Sequence, residues 1–390
     1  MSVGTRYART LAVLVPLAIA NHVALTGSRI TVSLDALSLG ASPFTVGILM
    51  ALYALLPMLC AVAAGRLSDR IGVRRPLLAG SAGLVIGSLL PCLIPGLPAL
   101  YMSAALIGVS FMTFQVATQH ATGELGTGTD RARNFSLLSL GYSVSGFIGP
   151  LLAGLTIDNF GFRTAFILLA IVPLLPVAVL ASGRPPLPRP DPGADAVQQG
   201  GVLALFRHKT LRRVFMINAL LAMGWDLHTV FVPIYGAKIG LSASRIGVIL
   251  ASFAAATFVV RLVMPVIVQR RTEHQVLTGA LFIAGAVYLV FPFSQSLLTL
   301  VALSFCLGLG LGSGQPVVMS LLHTHAPPGR MGEAAGLRMS LVQSMSVAVP
   351  LMFGAVGSSL GLAPVFWSVG IFLTAGGVLS HRAARTRTSS

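Results

Sequence analysis

Ten acidic residues occur in this 390-residue sequence, and of these Asp226 falls near the middle of a long apolar run. Asp35, Asp158 and Glu333 stand at the ends of such runs instead. A carboxylate held mid-run is costly unless it is paired, wetted or protonated, so its type and place point to binding and release of a proton. The other ionisable groups in apolar runs are few. His22, Thr26, Arg29 and Ser33 follow the spacing i, i+4, i+7, i+11, which puts all four on one helical face. Displaced by 200 residues, that stripe reads Ala222, Asp226, Thr229 and Pro233. His22 and His228 titrate near neutral pH and are either proton carriers or buried structural hydrogen bonders. Gln115 and Gln315 offer substrate a donor and an acceptor each, and Trp225 and Tyr142 supply either aromatic wall or ordinary packing. Arg29 either lines a polar path or snorkels to the nearer interface. Arg261 reads as a contact for an anionic group or as an interhelical anchor, and Arg338 as a structural group or part of a gate.

The elements that must position these residues are set by composition. Hydrophobic residues make up 55% of the chain and charged residues 9%, with 42 Gly, 23 Pro and a mean hydropathy of +0.87. A soluble domain carries about 25% charged residues, so this chain belongs in a bilayer. Runs of about 20 apolar residues, rather than alternating segments of about 10, exclude an outer-membrane barrel. Twelve helices are expected, at 10–34, 44–65, 77–95, 98–120, 134–157, 163–182, 213–236, 244–268, 275–292, 297–322, 334–357 and 362–381. The first run continues into the spanning pattern and does not read as a cleavable signal. Twenty of the 26 Lys and Arg gather on one side of this plan, whereas Arg163, Lys238 and Arg245 lie on the other. That asymmetry predicts a multi-pass protein of a bacterial-type cytoplasmic (inner) membrane with both termini in the cytoplasm. It also accounts for the net charge of +16 without nucleic acid.

An internal repeat organises the helices. At a constant offset of 200, Gly40, Gly47, Gly108, Gln115, Pro150 and Gly154 fall on Gly240, Gly247, Gly308, Gln315, Pro350 and Gly354. Two six-helix bundles are predicted, residues 1–182 and 211–390, joined by a cytoplasmic linker over 183–210. Five prolines between Arg184 and Pro192 keep that linker from forming a helix or strand. Cys60, Cys92 and Cys306 lie inside apolar runs and read as packed small hydrophobes rather than a disulfide or metal framework. The run Gly308 to Gly314 has no strand before it, so it is read as a thin, bendable part of a helix and not a nucleotide fingerprint. His323 and His325 lack a carboxylate or thiolate nearby and make a poor metal site. No Walker loop and no nucleophile with base and orienter occur, so neither an enzyme nor a cofactor is expected.

Gly65-Arg66-Leu67-Ser68-Asp69-Arg70-Ile71-Gly72-Val73-Arg74-Arg75, between predicted helices 2 and 3, resembles the signature loop of the major facilitator superfamily at every defining position. The matching loop of the second half has lost it, with Gln269 in place of an acid. Ser145-Gly146-Phe147-Ile148-Gly149-Pro150-Leu151-Leu152-Ala153-Gly154 resembles the helix 5 element of drug:proton antiporters in that superfamily, with Ser145 and Ala153 replacing glycines. Close helix packing is the alternative reading of those small residues. The Arg that such antiporters often carry in helix 4 has no counterpart in 106–119.

The resemblance implies an all-α membrane protein of two pseudo-symmetric six-helix bundles, with helices 1, 4, 7 and 10 lining a central cavity. It places Arg29 and Asp226 at nearly the same depth, and it implies a gate built from Gly65, Asp69, Arg70, Gly72, Arg74, Arg75, Arg131 and Arg338. The expected function is proton-coupled export of a small organic molecule by a monomer, with Asp226, Arg29, His22 and His228 moving protons. Arg29, Gln115, Gln315, Trp225, Tyr142 and Arg261 are expected to bind substrate. Arg29 and Arg261 against Asp226 would favour an anionic or neutral substrate over a cation. Proton-coupled uptake of an organic anion or metabolite is the alternative.

Overall fold

The computed structural model describes residues 3–125, 129–183, 187, 208–325 and 331–388; within these ranges the side chains of residues 3–9, 60–70, 129–132, 331–333 and 382–388 and a few single positions are not described. All regular structure among the described residues is helical. In chain order it comprises α1 (Val3–Ser38), α2 (Pro43–Ile71), α3 (Arg74–Leu93), α4 (Leu97–Gly123), α5 (Thr129–Ile171), α6 (Leu174–Ala181), α7 (Lys209–Lys238), α8 (Ala243–Arg270), α9 (Glu273–Val290), α10 (Leu297–His325), α11 (Met331–Ser359) and α12 (Leu362–Thr388). One 3-10 turn, Phe291–Phe293, follows α9. Ten stretches among the described residues are long and apolar enough to cross a membrane. One of them, Arg133–Ala181, has the length of two spans, and Pro43–Leu59 is a shorter apolar helix.

Three boundaries differ from the sequence expectation. The segment between predicted helices 2 and 3 is not a long loop: α2 continues to Ile71, and the chain reverses at Gly72, whose φ of +78° only glycine adopts without strain. Predicted helices 5 and 6 run on without a polar loop, parted only by Gly161 at φ 80°. The expected sixth helix is itself interrupted before Leu174, where Pro173 lacks the N–H that an unbroken helix would use.

The helices cluster into two compact units. The first comprises Met1–Ala41, Leu52–Asp195 and Gly240–Ala251, and the second Ser42–Ala51, Ala196–Ile239 and Ser252–Ser390. Each therefore takes the beginning of one helix, α8 or α2, from the opposite half of the sequence. Within the first unit α1 packs on α5 and α4, and α3 on α4, α5 and α6. Within the second, α7 packs on α10, α11 and α12, and α9 on α10 and α12.

Lipid tails are as apolar as the helices, so close backbone approach has to come from small residues. The repeat supplies them at matching places. A Cβ on Gly247 would stand 2.6 Å from Pro150 O, and one on Gly47 would collide with Pro350 O. A Cβ on Gly108 would stand 2.8 Å from Tyr53 O, and one on Gly308 would collide with Phe253 O. The glycine run of α10 serves the same end. Gly308 and Gly312 face α8, Gly310 faces α9 and Gly314 faces Leu221 of α7, within a helix that continues unbroken to His325. Cys306, expected to be packed, is exposed, and Cys92 is half-buried with its thiol directed at Arg163 O. Cys60 lies outside the described side chains.

Candidate functional site

In the first unit the polar stripe of α1 meets α5. His22 Nδ1 shares a hydrogen bond with Ser145 Oγ, and Thr26 Oγ1 donates to His22 O at 2.9 Å and to Ser145 O at 3.3 Å. Gly149 makes this approach possible, because any side chain there would strike Thr26 and Val23 O. Ser145 and Gly149 of the helix 5 element thus pack α5 onto α1. The imidazole of His22 lies between rings, 5.3 Å from Phe111 and 4.9 Å from Tyr142. One to two turns further along α1, Arg29 is half-buried with its Nε enclosed and unpartnered among the described residues, and the hydroxyls of Ser33 and Tyr142 are in the same position. Gln115 of α4 is half-buried.

In the second unit the equivalent seam is α7 against α11. Asp226 is 5% exposed and Ser346 Oγ donates to its Oδ2 at 2.8 Å. Ser346 occupies the position that Gly146 holds one repeat earlier, so the carboxylate and its donor stand where the first unit places Thr26 and α5. Trp225 is half-buried with its ring edge-on to Phe253 at 4.8 Å.

His228 is 0% exposed, bonded through Nε2 to Ser304 Oγ at 2.7 Å and stacked on Phe253 at 4.2 Å. Its other ring nitrogen, Nδ1, is enclosed with no partner among the described residues. Gln315 is exposed, unlike its repeat partner Gln115, and Arg261 is half-buried on α8.

Of the residues expected to gate, Arg74 is bound to the end of α6. Its Nη1 donates to Leu180 O at 3.0 Å and its Nη2 to Gly183 O at 2.9 Å, closing carbonyls that the helix leaves open. Gly72 makes the turn described above, Arg75 is exposed, and Arg338 Nη1 approaches Asn218 Oδ1 at 3.5 Å. The side chains of Gly65, Asp69, Arg70 and Arg131 lie outside the described residues.

Sequence reasoning missed three polar groups. Ser346 carries no signal of its own, because serine is common in membrane helices; only its repeat relation to Gly146 could have marked it. Asn218 stands alone in an apolar stretch, and its closeness to Arg338 spans 120 residues. Asp158 stands at a helix end in the sequence, yet its Oδ1 and Oδ2 accept from the backbone N–H groups of Ala243 at 2.9 Å and Ser244 at 2.8 Å, at the start of α8.

Known proteins resemble this one along much of its length. A tetracycline resistance protein, class G, from Vibrio anguillarum is 27% identical over 349 residues, covering 84% of each chain. The multidrug efflux pump LfrA of Mycolicibacterium smegmatis is 28% identical over 249 residues, 63% of this chain and 43% of that protein. The crystal structure of peptide transporter POT in complex with sulfate superposes with a TM-score of 0.80 at 16% identity, covering 99% of this chain and 98% of that one, which shows a shared fold. The model of the major facilitator superfamily matches residues 8–350 and again 214–388, so this multi-pass membrane protein belongs to the major facilitator superfamily of transporters.

Proposed function

We propose that the protein is a proton-coupled exporter of a small organic molecule, working by alternating access in a bacterial-type cytoplasmic membrane with both termini in the cytoplasm. The observation that carries this reading is Asp226. It is a carboxylate enclosed in an apolar helix seam, with Ser346 as a neutral donor, at a depth from which no side chain of its length reaches the interface. Such a group binds a proton when its surroundings are dry and releases it when water or a cation arrives, as coupling requires. Export is supported by the likeness to a multidrug efflux pump and by the helix 5 element, and the cytoplasmic termini by the crowding of Lys and Arg on one side of the predicted plan. The substrate is a molecule small enough to pass between helices, and transport draws on no cofactor.

The reading is tested in proteoliposomes carrying an imposed pH gradient and a panel of dyes and organic acids. Wild-type protein is expected to accumulate at least one of them against its gradient, and Asp226→Asn to exchange the same compound without accumulating it. Full gradient-driven accumulation by Asp226→Asn rejects Asp226 as the coupling group.

A further inference from the structure

The α7–α11 seam carries a second polar pair, Asn218 and Arg338, eight residues from Asp226 and Ser346 along both helices, or about 12 Å. In the first unit the repeat-equivalent residues are Ala18 and Leu138, both buried in an apolar cluster with Leu14, Leu17 and Phe114. The second unit has therefore replaced packed hydrocarbon with two polar side chains. They satisfy one another poorly. The contact between Arg338 Nη1 and Asn218 Oδ1 is 3.5 Å, at the outer limit of a hydrogen bond. Arg338 Nε and Asn218 Nδ2 are buried and have no partner among the described residues.

Both orphans are donors. Arginine stays charged and offers only N–H groups, and an amide nitrogen offers only N–H as well. Buried donors are nearly always paired in folded proteins, so a pair left over on one seam asks for an acceptor from elsewhere. Asn218 is 3% exposed and Arg338 is half-buried, with the Nδ2 of the one and the Nε of the other enclosed. The complement of a planar guanidinium edge beside an amide N–H is an oxyanion, which takes Nε and one Nη together. Metal cations are excluded by the same donor set.

We propose that Arg338 and Asn218 form a capture site for the carboxylate, or a like oxyanionic pole, of the transported molecule, at the beginning of the α7–α11 seam. The assignment rests on the transport reading above, and it moves Arg338 from the gate to substrate recognition. Under the proposed orientation the pair stands toward the cytoplasm, where an exported molecule enters.

The test is binding without a gradient, so that it does not depend on coupling. The full chain in phosphatidylcholine nanodiscs is titrated with benzoate, benzamide and benzylammonium, and the thermal unfolding midpoint is followed. Benzoate is expected to stabilise the protein more strongly than benzamide, with no effect from benzylammonium. Arg338→Gln should weaken the benzoate response by roughly tenfold to a hundredfold, as loss of a charge-assisted bond does. Arg338→Lys, which keeps the charge and safeguards against a variant that merely folds badly, should weaken it by about tenfold through loss of the fork. A benzoate response undiminished in both Arg338 variants, or absent in the wild type, overturns the site. Stabilisation by phosphatidylglycerol in the nanodisc but never by benzoate assigns the oxyanion to a lipid headgroup and overturns the capture role.

Discussion

Asp158 and Ser358 stand one repeat apart and cap the beginnings of two different helices. Asp158 accepts from Ala243 N and Ser244 N of α8, and Ser358 Oγ accepts from Phe44 N of α2 at 3.0 Å. Phe44 and Ser244 are themselves repeat partners, so the geometry is shared, but one cap is ionised and takes two donors while the other is neutral and takes one. Charge-assisted bonds are about twice as strong as neutral ones, and the positive end of a helix favours an anion. Asp158→Ala is accordingly expected to cost about 1–2 kcal/mol and Ser358→Ala less than about 1. Thermal unfolding in detergent ranks the two, and a larger loss for Ser358→Ala would contradict the assignment.

The glycines of the same regions give a second prediction. A Cβ on Gly247 meets the backbone at Pro150 O, which cannot swing aside as a side chain end can. Gly247→Ala should therefore cost about 1–3 kcal/mol through overpacking. Gly279, inside α9, has nothing within 4 Å of a built Cβ, and Gly279→Ala should be neutral or stabilising by up to about 1 kcal/mol, because alanine is the better helix former. Unfolding midpoints that rise equally for both variants would show that helix propensity, not close approach, governs these positions.

Enclosure separates the two histidines. Ser304 bonds His228 and Phe253 covers its ring, with no exposed surface left, so His228→Ala opens a cavity and strands a hydroxyl. A loss of about 2–4 kcal/mol in stability is expected, with the pH profile of transport unchanged in the protein that remains folded. A shifted profile at wild-type stability would instead make His228 a proton carrier.

The architecture could be read from the chain because membrane helices announce themselves by length and because glycines at the offset of 200 mark helix contacts in both halves. Gly47 and Gly247, Gly108 and Gly308, and Gly154 and Gly354 all prove to be places where one backbone lies against another. The signature around Gly72 carried the family, and Gly72 makes its turn, although α2 runs further into the signature than a loop reading suggests. Asp226 could be singled out because a mid-helix carboxylate is rare in lipid. Its donor Ser346, the cap made by Asp158 and the pairing of Asn218 with Arg338 could not, since each depends on two helices meeting across 85 to 120 residues and involves a residue type that is ordinary by itself. Cys306 shows the converse error: an apolar neighbourhood in sequence does not tell which face of a helix a residue occupies.

Coupling is assigned to Asp226, and the most direct measurement is proton movement itself. In proteoliposomes holding a pH-sensitive dye, addition of a transported compound to wild-type protein should move protons against the compound's flux, and Asp226→Asn should abolish that movement while isotope exchange of the compound continues. Substrate-driven proton flux of wild-type size in Asp226→Asn would contradict the account.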